Sequence, residues 1–516
     1  MSFLTDNLRE KLLQTPMLIG LGAVTLGILL ADHFTLPLWS MVVGFVVSVG
    51  MAIVCYARRF YRLYLLLAMA FAGGIALAMA RGESRGVFGE QERVVRLRIE
   101  DVKLDAKGVA RGEAEVVELD GQAHSFRVRF VASAEAELRA NEELMVKARL
   151  REFKDRRAER SSYEEYMWLS GVQGEIFLTP QRIISRHEAR LSIPQKMRQK
   201  ASERVARLGL SAKVEAIVRA VATGDRSMIS AVQRRDYVLS GSAHILAVSG
   251  LHVGYLFMLI NLLLMPLALL RRGHVLRCFV AVVLIWCYAL MTGLEPSVER
   301  AAIMFTLLQI SFMVASKYNS LGALALTAVV MLLMRGDNLY DAGFQLSMLA
   351  VFAIVEWVMP ARNYLINRLF GRIKGRSLKG ESVWHNFAWR GLLKLTEWCV
   401  TTILIAIACA MVTMPLASYR FGQISAWSVV VGPLMVLLGG VVVGLSIVWI
   451  LMPFSLLAGV VGGVLELATG WMNRLAEWCS EVGVLAFDWR MDFGVCIGIY
   501  IVYLLVTLVV WSVREE

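Results

Sequence analysis

The stretch A-V-A-T-G-D-R-S at residues 220–227 leads, after a short polar run, into S-G-S-A-H-I-L-A-V-S-G-L-H-V-G-Y-L at residues 240–256. The second part is nearly as apolar as a membrane span, yet it carries Ser240, Ser242, His244, Ser249 and His252 among Gly241, Gly250 and Gly254. Polar side chains and bare backbone at that density are costly in hydrocarbon, which offers no hydrogen-bond partner, so they are expected to face protein or water. This is the first candidate site of the chain.

Around it, the 516 residues are 57% hydrophobic, with a mean hydropathy of +0.59. That is too apolar for a soluble multidomain chain and leaves many runs of bilayer-spanning length, the pattern of a polytopic α-helical membrane protein. The net charge of +12 suits a polyanionic partner, but cationic cytoplasmic loops produce the same excess. The seven cysteines are scattered without a C-x-x-C pair, which reads as apolar packing rather than metal or redox chemistry. The amino terminus, with Asp6 and Glu10 among its charges, is too polar for a secretory signal.

Apolar runs at residues 17–31, 36–56 and 63–80 open the chain, each near the ~20 residues that cross a bilayer. Arg58, Arg59 and Arg62 place the loop between the second and third runs in the cytoplasm by the positive-inside rule. Strict alternation then puts the amino terminus inside, the loop at Asp32 and His33 outside, and the region after Arg81 on the extracytoplasmic side. Residues 1–80 are thus read as N-terminal transmembrane helices.

Residues 81–191 alternate charges of both signs with apolar residues and contain no membrane-length run, so they are read as an inserted extracytoplasmic domain. Strand patterns occupy 94–102, 114–119, 125–131, 144–153 and 175–179, with Asp120-Gly121 as a hairpin turn and a helical stretch at 163–169. Five short strands suit a small β-barrel with an OB-like fold. Lys147, Arg149, Arg151, Lys154, Arg156, Arg157 and Arg160 form a basic strip that can hold a nucleic-acid backbone or simply be a solvated face.

Residues 192–240 read as amphipathic interfacial helices: Val214, Ile217, Val218 and Val221 recur at helical spacing, opposite Lys213, Glu215 and Arg219. Asp225 is placed to cap the short helix that follows. Residues 241–516 return to the membrane, giving about eleven or twelve spans in all. A long inner loop carries Arg362, Arg368, Arg372, Lys374, Arg376 and Lys379.

Further polar islands interrupt these spans: residues 288–302 with Gly293 and Arg300, residues 340–347 with Asp341 and Gln345, and residues 415–425 with Arg420. Gly250, Gly254 and Gly293 are expected to break helices or allow close backbone approach where a membrane segment lines a cavity. Asp341 and Gln345, four apart, share a helical face. Structural roles stand beside these: snorkelling for Arg300, Arg335 and Arg420, helix capping for Asp341, and helix packing for the serines and glycines. Ser249 and His252, three apart, also allow a membrane-embedded hydrolase, although no third group orients the histidine. His244 and His252 lack zinc spacing. With no phosphate-binding loop, ATP site or metal set, no cofactor is expected.

G-D-R-S from Gly224, the segment from Ser240, T-G-L-E-P-S-V-E-R-A-A from Thr292, D-A-G-F-Q-L-S from Asp341 and Y-R-F-G-Q-I-S from Tyr419 resemble, in order, the signatures of the ComEC family, the DNA internalisation competence proteins. Tyr163, Tyr166 and Gly171 match the family's motif after its outer OB-like domain. Ser161 and Ser162 stand where Phe and Asp are usual, and Gly432-Pro433 where the family often has Asn-Leu. The resemblance implies a bacterial inner-membrane channel passing single-stranded DNA into the cytoplasm during natural transformation. A lipid bilayer, a DNA receptor and cytoplasmic motor proteins are the implied partners. Asp225, Arg226, His244, Ser249, His252, Arg300, Asp341, Gln345 and Arg420 are the candidates for lining the DNA path. Many members end in a metallo-β-lactamase-like domain; no such domain is expected here, and the chain is not expected to be an enzyme. A transporter of another anionic polymer or a lipid remains the further alternative.

Overall fold

The computed structural model describes residues 15–34, 37–56, 61–82, 91–100, 102–104, 109–133, 136, 138, 142–153, 164, 167, 172–188, 192–246, 248–294, 296–314, 319–374, 383–451, 457–483 and 486–513. The chain forms two compact units, one of residues 20–197 with 329–341, the other of residues 1–19, 198–328 and 342–516.

The first unit opens with α1 (Pro16–Phe34), α2 (Leu38–Val54) and α3 (Tyr61–Gly82). Glycines set the packing of these helices: a Cβ on Gly27 would clash with the Ala70 backbone, and Gly73 lies against the Val24 carbonyl. Close approach of this kind replaces the missing hydrophobic drive between helices in lipid with dispersion contact. A 3-10 turn, Gly336–Tyr340, joins this unit from far along the chain. A Cβ on Gly336 would stand 2.4 Å from the Leu77 nitrogen, and the Tyr340 hydroxyl donates to Asp32 Oδ2.

The same unit contains the strands β1 (Arg93–Ile99), β2 (Lys103–Leu104), β3 (Val109–Leu119), β4 (Gln122–Ser133), β5 (Glu142–Ala148), β6 (Leu150–Glu152), β7 (Val172–Leu178) and β8 (Ile183–Glu188). They pair in the order β6-β7-β4-β3-β1-β5-β8, with β2 beside β3. Only Arg149 separates β5, which pairs with β1, from β6, which pairs with β7, so one bent strand curls the sheet back on itself. Alternation is strict along it, with Leu144, Val146, Ala148 and Leu150 buried and Lys147, Arg149 and Arg151 exposed. The hairpin expected at Asp120-Gly121 joins β3 and β4, with both residues at positive φ, 47° and 86°, as a type I′ turn requires. β2 and β8 are additions to the expected strands. Most of the helical stretch at 163–169, the motif residues Tyr163, Tyr166 and Gly171, and Lys154, Arg156, Arg157 and Arg160 lie outside the described residues.

Opposed carboxylates neutralise much of the basic charge on this sheet. Arg98 bridges Glu143 at 2.9 Å and Glu115 at 3.3 Å, and Arg129 meets Glu175 at 3.1 Å. Lys147, Arg149 and Arg151 form no ion pair among the described residues.

The second unit carries α4 (Ile193–Ala206), α5 (Ala212–Thr223), α6 (Ala231–Leu239), α7 (Gly250–Leu263), α8 (Gly273–Met291), α9 (Pro296–Val314) and α10 (Ser320–Met334), which runs on into the first unit. Next come α11 (Ala342–Ala353), a π-helical turn (Ile354–Val358), α12 (Met359–Lys374) and the 39-residue α13 (Val383–Phe421). The chain closes with β9 (Gln423–Ser425), α14 (Trp427–Val430), α15 (Gly432–Leu451), α16 (Ala458–Val482), β10 (Ala486–Asp488) and α17 (Phe493–Val513). Its core joins Val214, Ile217, Val218 and Val221 to Ile245, Val253, Ala281, Val298, Met435 and Leu465. The apolar face of α5, expected at a membrane interface, is therefore covered by protein. That expectation failed because amphipathic periodicity does not distinguish lipid from a neighbouring helix.

Among the described residues, six helices are long and apolar enough to cross a membrane, and four apolar helices are shorter, at Leu38–Val54, His252–Leu263, Ser320–Met334 and Phe493–Val509. The chain is a mostly helical, multi-pass membrane protein.

Candidate functional site

The G-D-R-S turn begins where α5 ends. Gly224 holds a left-handed backbone, φ 77°, and donates to the Ala220 carbonyl. A Cβ there would stand 3.1 Å from the Thr292 oxygen, so glycine serves both the helix stop and the close approach. Asp225 Oδ1 accepts from the Ser227 amide at 3.1 Å and its hydroxyl at 2.7 Å. Its Oδ2 accepts from Ser202 Oγ at 3.4 Å and lies 3.9 Å from Arg219. The cap of α6 is Ser230, whose hydroxyl accepts from the Gln233 amide at 3.1 Å. Asp225 thus shapes the turn instead of capping the helix, because it lies five residues too early. Arg226 is exposed, and its Nε donates to the Leu246 carbonyl at 3.0 Å.

The chain reverses after α6 at Gly241, φ 71°, where a Cβ would meet Ser428 Cβ at 2.8 Å. Ser425 Oγ donates to the Leu239 carbonyl at 2.6 Å. Next, Ser249 caps α7: its hydroxyl accepts from the His252 amide at 3.4 Å, while its own amide donates to His252 Nδ1 at 3.2 Å. This is a capping box with histidine in the place of the usual Glu or Gln. The Val248 carbonyl accepts from Ser297 Oγ at 2.7 Å. Gly293, φ 92°, follows α8 and leaves no room for a side chain beside Arg198, whose Nε donates to the Met291 carbonyl at 2.8 Å. Four segments far apart in the chain, near residues 224–227, 240–249, 292–297 and 425–428, are tied to one another by these contacts.

Burial separates the candidates. Ser240 and Ser242 are fully buried, and His252 and Arg300 each keep 3% of their surface. The far edge of the His252 ring faces Gly439 of α15. Ala243 and His244, in the 3-10 turn Ala243–Ile245, are exposed although Ile245, Leu246 and Val248 around them are buried. Enough protein surrounds His244 for burial to lower its imidazole below the ordinary histidine range, against a hydrogen bond with the Gly241 backbone that raises it.

Ser249 and His252 do meet, as their spacing suggests, but through backbone groups. Nδ1 accepts its hydrogen bond from the Ser249 amide rather than from Ser249 Oγ, so the pair lacks the contact that activates a serine. α7 runs unbroken from Gly250 through Gly254, where added Cβ atoms would find ordinary contacts. The left-handed backbone lies instead at Gly241 and Gly293. Arg300 lies over the Phe344 ring at 5.9 Å, and Arg420 over its neighbour Tyr419 at 5.8 Å. Asp341 is extended, just before α11, while Gln345 is inside it. The shared helical face expected of these two requires helix at both positions, and only one has it.

Some polar groups within the membrane helices escaped the sequence reading. Asn261 Oδ1 accepts from Arg277 Nε and Nη2, at 3.3 and 3.0 Å, and from Gln309 Nε2 at 3.1 Å, tying α7, α8 and α9. Glu356 is buried within the π-helical turn. Each was visible as a polar residue inside an apolar run; its partner in space was not. Among the described residues, no three potential metal ligands converge.

A family model described as competence protein matches residues 221–515. The chain belongs to that family. The match begins within α5 and takes in every segment of the tied loops. The chain is 27% identical over 274 residues to the ComE operon protein 3 of Bacillus subtilis (strain 168). That alignment takes in 52% of this chain and 30% of the relative, so the family member described here spans well under half of that protein. No solved structure matches it.

Proposed function

We propose that this competence-family protein forms part of the route by which single-stranded DNA crosses the bacterial inner membrane during natural transformation. Membership of the family supports the process. The observation that carries the assignment to a site is the exposure of both His244 and Arg226, the latter bonded to the Leu246 carbonyl two residues beyond His244, where the family's own segments are tied together. Arg226, held by Leu246, presents a permanent cation to phosphate. His244, whose imidazole the surrounding protein lowers below the ordinary histidine range, offers a ring face and a hydrogen bond to a base. The buried Ser240, Ser242 and His252, with the half-buried Ser249, support this site and do not touch the strand.

The curled sheet of the first unit we read as an OB-like, extracytoplasmic domain, a partly open barrel of five main strands with additions. Lys147, Arg149 and Arg151, free of ion pairs among the described residues, are its candidates for backbone contact. A DNA receptor and a cytoplasmic motor supply delivery and pulling force in this reading, with the amino terminus in the cytoplasm. The capping role of Ser249 and His252 disfavours the hydrolase alternative.

The test is uptake of labelled DNA into the cytoplasm of a deletion strain restored with this chain or with His244→Ala. The variant, at equal membrane abundance, is expected to lower uptake at least about tenfold, the loss from one base stack. Uptake equal to the parent would remove His244 from the route, and no rescue by the parent chain would remove the function itself.

A further inference from the structure

Between α7 and α8 the chain makes a 3-10 turn, Met265–Leu269. Met265, Leu269 and Leu270 are 62%, 90% and 55% exposed, and Arg271, Arg272 and His274 follow at once, all exposed. The sequence has no Asp or Glu between Asp236 and Glu295, and Arg271, Arg272 and Arg277 form no ion pair among the described residues. Arg277 alone is anchored. Two nitrogens of its guanidinium rest on Asn261 Oδ1, which aims the plane and leaves Nη1 for another acceptor. Apolar side chains projecting next to uncompensated, partly fixed guanidinium groups have the chemistry of an interfacial phosphate site.

We propose that this turn binds the headgroup of an anionic phospholipid, with Arg271, Arg272 and Arg277 on the phosphodiester and Leu269 and Leu270 against the acyl chains. A nucleic-acid backbone is the weaker fit, since it has no use for a leucine nine-tenths exposed. The inference does not depend on the function proposed above.

The full chain, purified in detergent, is titrated with phosphatidylglycerol and with phosphatidylcholine, and retained lipid is counted by native mass spectrometry. Phosphatidylglycerol is expected to be retained preferentially. Arg271→Gln with Arg272→Gln should weaken that retention about 25-fold, taking two near-surface cations at their usual worth. Leu269→Asn should weaken it as well, and Arg368→Gln, an exposed arginine elsewhere, should leave it unchanged. Equal retention of the two lipids, or indifference to the double variant in a chain of unchanged elution volume, overturns the proposal. Insensitivity to Leu269→Asn together with displacement by inorganic phosphate would make it a free-anion site. Displacement by a single-stranded oligonucleotide would make it a nucleic-acid contact. Either outcome also defeats the lipid assignment.

Discussion

His252 shows how one residue type can carry two incompatible readings. In sequence it stands three residues from a serine within an apolar run, which invites catalysis. In the folded chain its Nδ1 accepts from the Ser249 amide and its own amide donates to Ser249 Oγ, which secures the first turn of α7. The box usually uses Glu or Gln at this position, so His252→Gln should preserve the helix start, and His252→Ala should not. We expect Ser249→Ala and His252→Ala each to cost about 1 kcal/mol, read as a lowered thermal midpoint in detergent. His252→Gln should retain both stability and DNA uptake. Loss of uptake in a stable His252→Gln protein would return the imidazole to the mechanism. His244, eight residues earlier, is the contrasting case. Its exposure amid buried neighbours is a property of the fold, and nothing in the local sequence sets it apart from His252.

At the scale of elements, α13 illustrates how a helix tolerates proline in a membrane. Pro415 lacks the N–H that would reach the Met411 carbonyl four residues back. Tyr503 of α17 donates to that carbonyl at 2.9 Å, and Tyr500 donates to the neighbouring Val412 carbonyl at 2.8 Å. α17 also meets the π-helical turn, where Trp357 Nε1 donates to Thr507 Oγ1 at 3.0 Å. One helix thus serves the two irregular places in its neighbours. Tyr503→Phe is expected to cost about 1–3 kcal/mol by leaving the Met411 carbonyl unsatisfied. In a Pro415→Ala background, where the restored backbone amide can donate to the Met411 carbonyl, the same change should cost much less. Additive effects in that double-mutant cycle, measured by denaturation in detergent, would show that Tyr503 contributes only packing. Proline was plain in the sequence as a site of disruption; the hydroxyl that compensates for it lies 92 positions beyond the Met411 carbonyl that it satisfies.

At the scale of the molecule, the strand domain carries a core of its own. Val95, Leu97, Ile99, Val116, Phe130, Leu144, Val146 and Ile176 all fall within one cluster that contains no residue of the membrane helices. Residues 91–188 expressed alone should therefore give a strand-rich far-UV circular dichroism spectrum and a cooperative melt. A disordered fragment would mean that α1–α3 contribute to its folding. Period-two alternation made most of these strands legible beforehand, because each buries one face and wets the other. β8 was missed, its Ile184 outward and 57% exposed, so no clean alternation marked it. By itself the sequence determined the apolar spans, the inserted strand domain, the Asp120-Gly121 turn and the family, since composition, period and motif order are local properties of a chain. Only the tertiary structure decided which polar groups are clasped and which stand open. His252 is buried and Asp225 is held by Ser202 and Arg219 while His244 stays exposed, and that division depends on packing brought together from distant positions, which no local pattern encodes.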